Sequence, residues 1–89
     1  MKTVVSVVGK DTVGIISKVS AVCAEANANI IDITQSVLDD MFVMVMLVEI
    51  KDLNRSFGAF SENMSNLGKS LNLDIHVMHE DIFNSMNRI

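Results

Sequence analysis

TVVSVVGKDTVGIISKVSAVCAEAN, residues 3–27, is the stretch whose reading decides the fold. It opens on a β-branched run, Val4, Val5, Val7 and Val8, which suits a pleated and buried strand. After Gly14 the period changes. Ile15, Ile16, Val19, Val22, Cys23 and Ala26 recur at helical spacing. At about 100° per residue these six cover roughly a third of the helix circumference, with Ser17, Lys18, Ala21, Ala24 and Glu25 opposite. The stretch therefore reads as a strand over Lys2–Val8, a tight turn, and a helix over Val13–Ala26. Asp11 or Thr12 is placed to cap the first helical amides. The remaining N–H groups point out of the turn, where a helix start beside a glycine suits a carboxylate or another small anion.

The rest of the chain follows in order. Asn27-Ala28-Asn29 breaks the helix, since Asn tolerates the left-handed backbone of a helix end. Residues 30–38 form a second strand with Ile31, Ile33 and Val37 on one face and Asp32, Thr34 and Ser36 on the other, an alternation fit for a sheet edge. Asp39-Asp40 makes a hairpin turn into a third strand, Met41–Ile50, apolar on both faces and so expected at the sheet's centre. A second helix starts near Asn54. Phe57, Phe60, Met64, Leu67 and Leu71 line its apolar side, and Arg55, Glu62, Asn66 and Lys69 the far side. Leu73–His79 is a fourth strand. Asp81 can cap a last short helix in which Ile82, Phe83, Met86 and Ile89 recur on one side.

The order βαββαβ with right-handed crossovers gives an α+β, ferredoxin-like fold. It is a four-stranded antiparallel sheet of order 4-1-3-2 with two helices on one face, plus the short C-terminal helix. Residues 1–89 read as a single domain, because 89 residues support one core and no separate catalytic domain. The helices cover one face only, yet Val4, Val8, Met41, Val43, Val45 and Leu47 cannot all lie on it. A soluble monomer rarely exposes an apolar patch of roughly several hundred Å². Either the C-terminal helix or a second subunit covers the open face, and a homodimer is the expectation.

Composition excludes several classes. The net charge of −4 is a poor match to nucleic acid or an anionic membrane. No apolar run is long enough to span a bilayer, no signal peptide precedes the first strand, and the expected location is the cytoplasm. One cysteine, Cys23, allows no internal disulfide or CxxC site. His76 and His79, three apart on a strand, point to opposite faces and cannot share a metal. Met41, Met44 and Met46 read as core or interface filler. Gly9 and Gly14 have P-loop spacing, but Ile15-Ile16 stand where Lys-Ser/Thr must be. No nucleophile, base and orienting group come together, so no catalytic residue, metal or cofactor is assigned and the chain is not read as an enzyme. An RNA-recognition module would carry aromatics on its central strands, a heavy-metal chaperone paired cysteines in the first turn, and an acylphosphatase an arginine there. The central strands here carry one aromatic, Phe42, and the first turn has neither cysteine nor arginine.

With this element order, Gly9-Lys10-Asp11-Thr12-Val13-Gly14-Ile15 resembles the ACT domain pattern Gly-x-Asp-x-x-Gly-aliphatic. Asn27-Ala28-Asn29-Ile30 resembles the family's helix-to-strand corner. The likeness runs over residues 2 to about 79 and is nearest to stand-alone prokaryotic ACT proteins and to the ACT segments of glycine cleavage regulators and phosphoserine phosphatase. It implies a regulatory module, a dimer formed through the sheet or its edges, and a small effector, commonly an amino acid, held at an interface. Carried over by position, the ligand residues are Asp11, Thr12, Val13, Gly14 and Ile15, with Asn27 or Asn29 from the corner. Lys10 stands where proline is common, and Thr12-Val13 replace Arg-Pro. The lost arginine removes one anion partner, which Lys10 could replace only without a planar fork. Two alternatives stand beside the sensor. Gly14 and Asp11 can serve packing and capping alone, and the chain can be a pure oligomerisation or protein-interaction module without a small ligand.

Overall fold

The computed structural model describes residues 1–86. Its elements are β1 (Lys2–Lys10), α1 (Ile15–Glu25), β2 (Asn29–Leu38), β3 (Met41–Glu49), α2 (Phe57–Leu71), β4 (Leu73–His79) and α3 (Glu80–Met86). All strands pair antiparallel in the order β2-β3-β1-β4, so the two most apolar strands are central, as expected.

The register separates the two faces of the sheet. Val5 lies opposite Met46 and Val77, and Val7 opposite Met44 and Ile75. These side chains meet Ile15, Val19 and Cys23 of α1 and Phe60 and Met64 of α2 in one core. Phe60, Met44, Met46 and Met64 are fully buried, each contributing about 1.5–3 kcal/mol of burial energy. Thr3 is the one buried polar residue among those described, and its hydroxyl donates to the Met78 carbonyl at 2.6 Å. Val4, Ser6 and Val8 pair with Leu47, Val45 and Val43, so the six apolar residues that could not all share the helix face lie together on the open one. There α3 packs on β1 and β4, and Val4 at that end is 3% exposed, while Val8 and Met41 at the other remain exposed.

Local departures have local causes. β1 runs two residues beyond Val8 because Gly9 and Lys10 pair with Phe42 and Met41. A β-carbon at Gly9 would collide with the Leu73 side chain. α1 begins two residues later than expected, and neither Asp11 nor Thr12 caps it: its N-cap is Gly14, with φ 89° and no side-chain cap hydrogen bond. α2 begins at Phe57, not near Asn54, since Ser56 Oγ accepts from the Ala59 N–H at 3.0 Å. Asp81 lies inside the first turn of α3 instead of capping it, its N–H donating to His79 Nδ1 at 3.3 Å. A bulge between Ile30 and Asp32 takes Ile31 out of the expected alternation, leaving Ile33, Gln35 and Val37 on the helix face. Asn27 and Asp39 have φ 61° and 62°, as the helix break and hairpin turn require. His76 and His79 oppose Ser6 and Thr3 and so face opposite sides of the sheet. The Met86 side chain and Ile89, expected on the apolar side of the last helix, lie outside the described residues. Among those described, no helix is long and apolar enough to cross a membrane.

The first and third strands are also tied at their ends. The Met1 ammonium donates to Glu49 Oε2 at 2.6 Å, and the same carboxylate accepts from the Ile50 and Lys51 N–H groups. The ammonium hydrogen bond, ahead of its charge and the two amides, holds the Glu49 carboxyl below its ordinary value of 4.5. A carboxyl lowered in the folded state stabilises above its unfolded value and stops doing so as pH falls through the folded one. Thermal melts of wild type and Glu49→Gln should therefore differ at pH 7, and the difference should shrink as pH falls below the ordinary carboxylate value of about 4.5; a gap that does not shrink on acidification would assign the effect to something other than this carboxylate.

Candidate functional site

Gly14 turns the chain from β1 into α1 with a left-handed backbone that L side chains rarely adopt. A β-carbon there would find only ordinary neighbours, Ser17 Oγ at 3.7 Å and Lys18 Cε at 3.8 Å. Its glycine is thus required by conformation and not by space. The first helical bond runs from Lys18 N–H to the Gly14 carbonyl at 3.1 Å, and Ser17 Oγ donates to that same oxygen at 3.1 Å. The amides of Ile15, Ile16 and Ser17 precede this bond, and among the described residues no side chain caps them.

A second contact places the turn. The Asp11 N–H donates to the Asp40 carbonyl at 2.8 Å, pinning the loop to the β2–β3 hairpin. An open cleft of 530 Å³ lies between loop and hairpin, within the range of about 300–1,000 Å³ usual for small-molecule sites. The first wall is Asp11, Thr12, Gly14, Ile15, Ile16 and Ser17; the second is Gln35, Ser36 and Val37 of β2 with Phe42 of β3. Asp11 is the one ionisable side chain among these ten residues. The cleft thus offers helix-end amides and hydroxyls for an anionic group, a carboxylate for a cationic one, and an apolar floor.

Four of the residues carried over from the family pattern, Asp11, Thr12, Gly14 and Ile15, come together here. Val13 sits in the same loop, but its side chain is 99% exposed and does not line the cleft. Asn27 and Asn29 are not brought to it within one chain. The eleven residues of α1 separate them from Gly14 by about 16 Å. Asn27 Nδ2 instead donates to the Asp52 carbonyl at 2.9 Å, and Asn29 opens β2 opposite Glu49. That end of α1 is closed structurally: Asn54 Nδ2 and Arg55 Nη2 donate to the Glu25 carbonyl at 2.8 and 3.1 Å. Lys10 pairs opposite Met41 on the open face, and the cation beside Gly14 is Lys18.

The β2 wall was not anticipated. One signal existed: Gln35 shares its strand parity with Ile33 and Val37, a lone polar residue on an otherwise apolar face. Cys23 takes no part, since burial pushes its thiol up to about 11 and leaves almost no thiolate at neutral pH. Among the described residues no group of three His, Cys, Asp or Glu side chains could hold a metal ion.

Comparison with known proteins identifies the family and the fold. The profile of the ACT domain family matches residues 2–78. A UPF0237 protein of Methanocaldococcus jannaschii is 43% identical over 88 residues, covering 99% of this chain and 98% of the relative. Among solved structures, an ACT domain protein from Streptococcus pneumoniae superposes with a TM-score of 0.80 at 38% identity, covering 93% of each chain. A candidate glycine cleavage system transcriptional repressor superposes with a TM-score of 0.70 at 25% identity, over 85% of this chain and 43% of that one.

The positive φ of Gly14 yields a stability prediction. Gly14→Ala should lower stability by about 1–2 kcal/mol in urea denaturation, the cost of an L residue in the left-handed region, and Gly14→Asn by less. Equal losses for Ala and Asn would show that backbone strain is not the reason for this glycine.

Proposed function

The chain belongs to the ACT domain family, whose members are regulatory, ligand-binding modules, and on that premise we propose that it is a non-catalytic sensor of a small metabolite, an amino acid. Residues 1–89 act as one ACT domain, working in the cytoplasm as a homodimer whose ligand-dependent state is read by a partner protein. The ligand occupies the cleft between the β1–α1 loop and β2. Its carboxylate meets the uncapped amides of Ile15, Ile16 and Ser17, with Thr12 and Ser17 hydroxyls beside them and Lys18 near by. Its ammonium meets Asp11, and its side chain rests on Val37 and Phe42. Val13 frames the mouth of the cleft. Asn27 and Asn29 keep the corner in shape and have no direct part within one subunit.

The observation that carries this reading is the uncapped start of α1 opening into a cleft with a single carboxylate. Such an arrangement complements a zwitterion better than a simple anion, which Asp11 would repel. The open sheet face, with Val8 and Met41 exposed, favours a second reading in which the chain is an assembly module and the cleft stays empty.

A thermal-shift screen against the twenty amino acids and common metabolic carboxylates separates the two. A ligand at 100 times its dissociation constant adds about 2.7 kcal/mol, worth several degrees in a domain of this size. One ligand should raise the Tm of the wild type, and Asp11→Ala should abolish the shift without lowering the unliganded Tm, because Asp11 holds the loop through its backbone. A flat screen on folded protein would decide for the assembly module.

A further inference from the structure

The open face of the sheet is striped. By register its central columns are Met41, Val43, Val45 and Leu47 of β3 and Val8, Ser6 and Val4 of β1. The outer columns are polar between their ends: Ser36, Thr34 and Asp32 on β2, and Asp74 and His76 on β4. α3 packs on β1 and β4 at the Val4 end. At the other end Val8, Met41 and Leu38 are 38%, 44% and 67% exposed, and Val43 and Val45 are half-buried.

Width and charge say what fits there. The stripe is two strands wide, about 10 Å, and runs about 14 Å from Met41 to Val45. An α-helix with its side chains is about 10–12 Å across and covers 14 Å in about nine residues. A second sheet would set its inner face against all four strands, and the outer two columns here are polar. Around the stripe lie Asp32, Asp39, Asp40 and Asp74. Against them stand Lys10, which ends the β1 column, and Lys69, which shares a cleft of 480 Å³ with Val8, Met41 and Asp74. Among the described residues none of these six charges is held in an ion pair. A second copy would bring the same excess of carboxylates to the contact, whereas a basic partner complements it.

We propose that this stripe docks an amphipathic helix of a partner protein, with apolar residues at i, i+3, i+4 and i+7 and Lys or Arg flanking them. The inference rests on the partner-read sensor of the proposed function and gives that partner its surface and its chemistry. It also places the readout beside the cleft. Val37 and Phe42 pair on the helix face and line the cleft, and the next pair, Leu38 and Met41, stands on the open face. One hairpin end thus carries the cleft floor on one side and the free end of the stripe on the other.

Labelled peptides of about fifteen residues, long enough to hold a helix, test the proposal on ligand-free protein. A patterned Leu/Lys peptide should bind, by fluorescence anisotropy, at least roughly ten-fold tighter than a scrambled peptide of the same composition or one with Glu for Lys. Its NMR footprint should gather at the amides of Val8, Met41, Val43 and Val45. Met41→Lys, at an exposed position, should weaken binding at least roughly ten-fold with an unchanged circular dichroism spectrum. Asp74→Asn should weaken it less and reduce its salt dependence. Equal binding of patterned and scrambled peptides, no binding at millimolar peptide, or a footprint elsewhere would overturn the proposal. A wild-type dimer that Met41→Lys converts to monomer in sedimentation would give the stripe to a second copy, overturning the helix and keeping the homodimer. The peptide experiments contain no metabolite and the thermal-shift screen no peptide, so failure of the docking surface and failure of the sensor are read separately.

Discussion

The structure depends on the packing of two strands against two helices. Val5 and Val7 of β1 lie beside Met44 and Met46 of β3, and the four bury against Phe60, Met64 and the apolar side of α1. Every connection in the chain serves to bring these layers together. Because both central strands must turn one face to the helices, register is set by the core: slipping β3 by one residue would exchange the Met44–Met46 row for Val43–Val45, and slipping β1 would exchange Val5 and Val7 for Val4 and Ser6. The open face is then a consequence of the pleat. Its apolar residues are the alternate positions of strands whose other side was needed for burial.

The cleft arises where two turns of this framework are pinned together. Gly14 reverses the chain at the end of β1, and the hairpin at Asp39-Asp40 folds β2 back beside it. The Asp11–Asp40 backbone hydrogen bond ties them. Neither turn makes a site alone. The first supplies donors and a carboxylate, and the second supplies Gln35, Ser36 and a floor of Val37 and Phe42. Both the cleft and the edge strand lie on the side of the molecule away from β4, and the cleft takes Gln35, Ser36 and Val37 from that strand.

Much of this was legible from residue patterns. The valine run before Gly9, the helical stripe from Ile15 to Ala26, the Asp-Asp hairpin and the stripe of α2 define the element order, and the apolar character of β1 and β3 marks them as central. Four of the seven positions carried over from the family resemblance, Asp11, Thr12, Gly14 and Ile15, line the cleft. The departures from the sequence reading lie where the rest of the structure decides a residue's role. Asp11 and Thr12 have capping chemistry but face the cleft, because Gly14 occupies the N-cap. Asn27 Nδ2 donates to the Asp52 carbonyl at the far end of α1, away from the cleft residues of its own chain. Ile31 was assigned a face by alternation, and the bulge at that point changed the parity.

The sequence by itself determined the order and kind of the elements, the strands that would be central, and the glycine turn at which a ligand is to be sought. Periodicity and backbone preference are local properties, expressed within a few residues of where they are written. Only the tertiary structure decided that Gln35, Ser36, Val37 and Phe42 form the second wall of the cleft, that α3 covers just one end of the open face, and that β2 leaves a long edge unpaired. Those outcomes depend on which residues, far apart in the chain, share a register or a face, and sheet pairing and helix packing set that jointly.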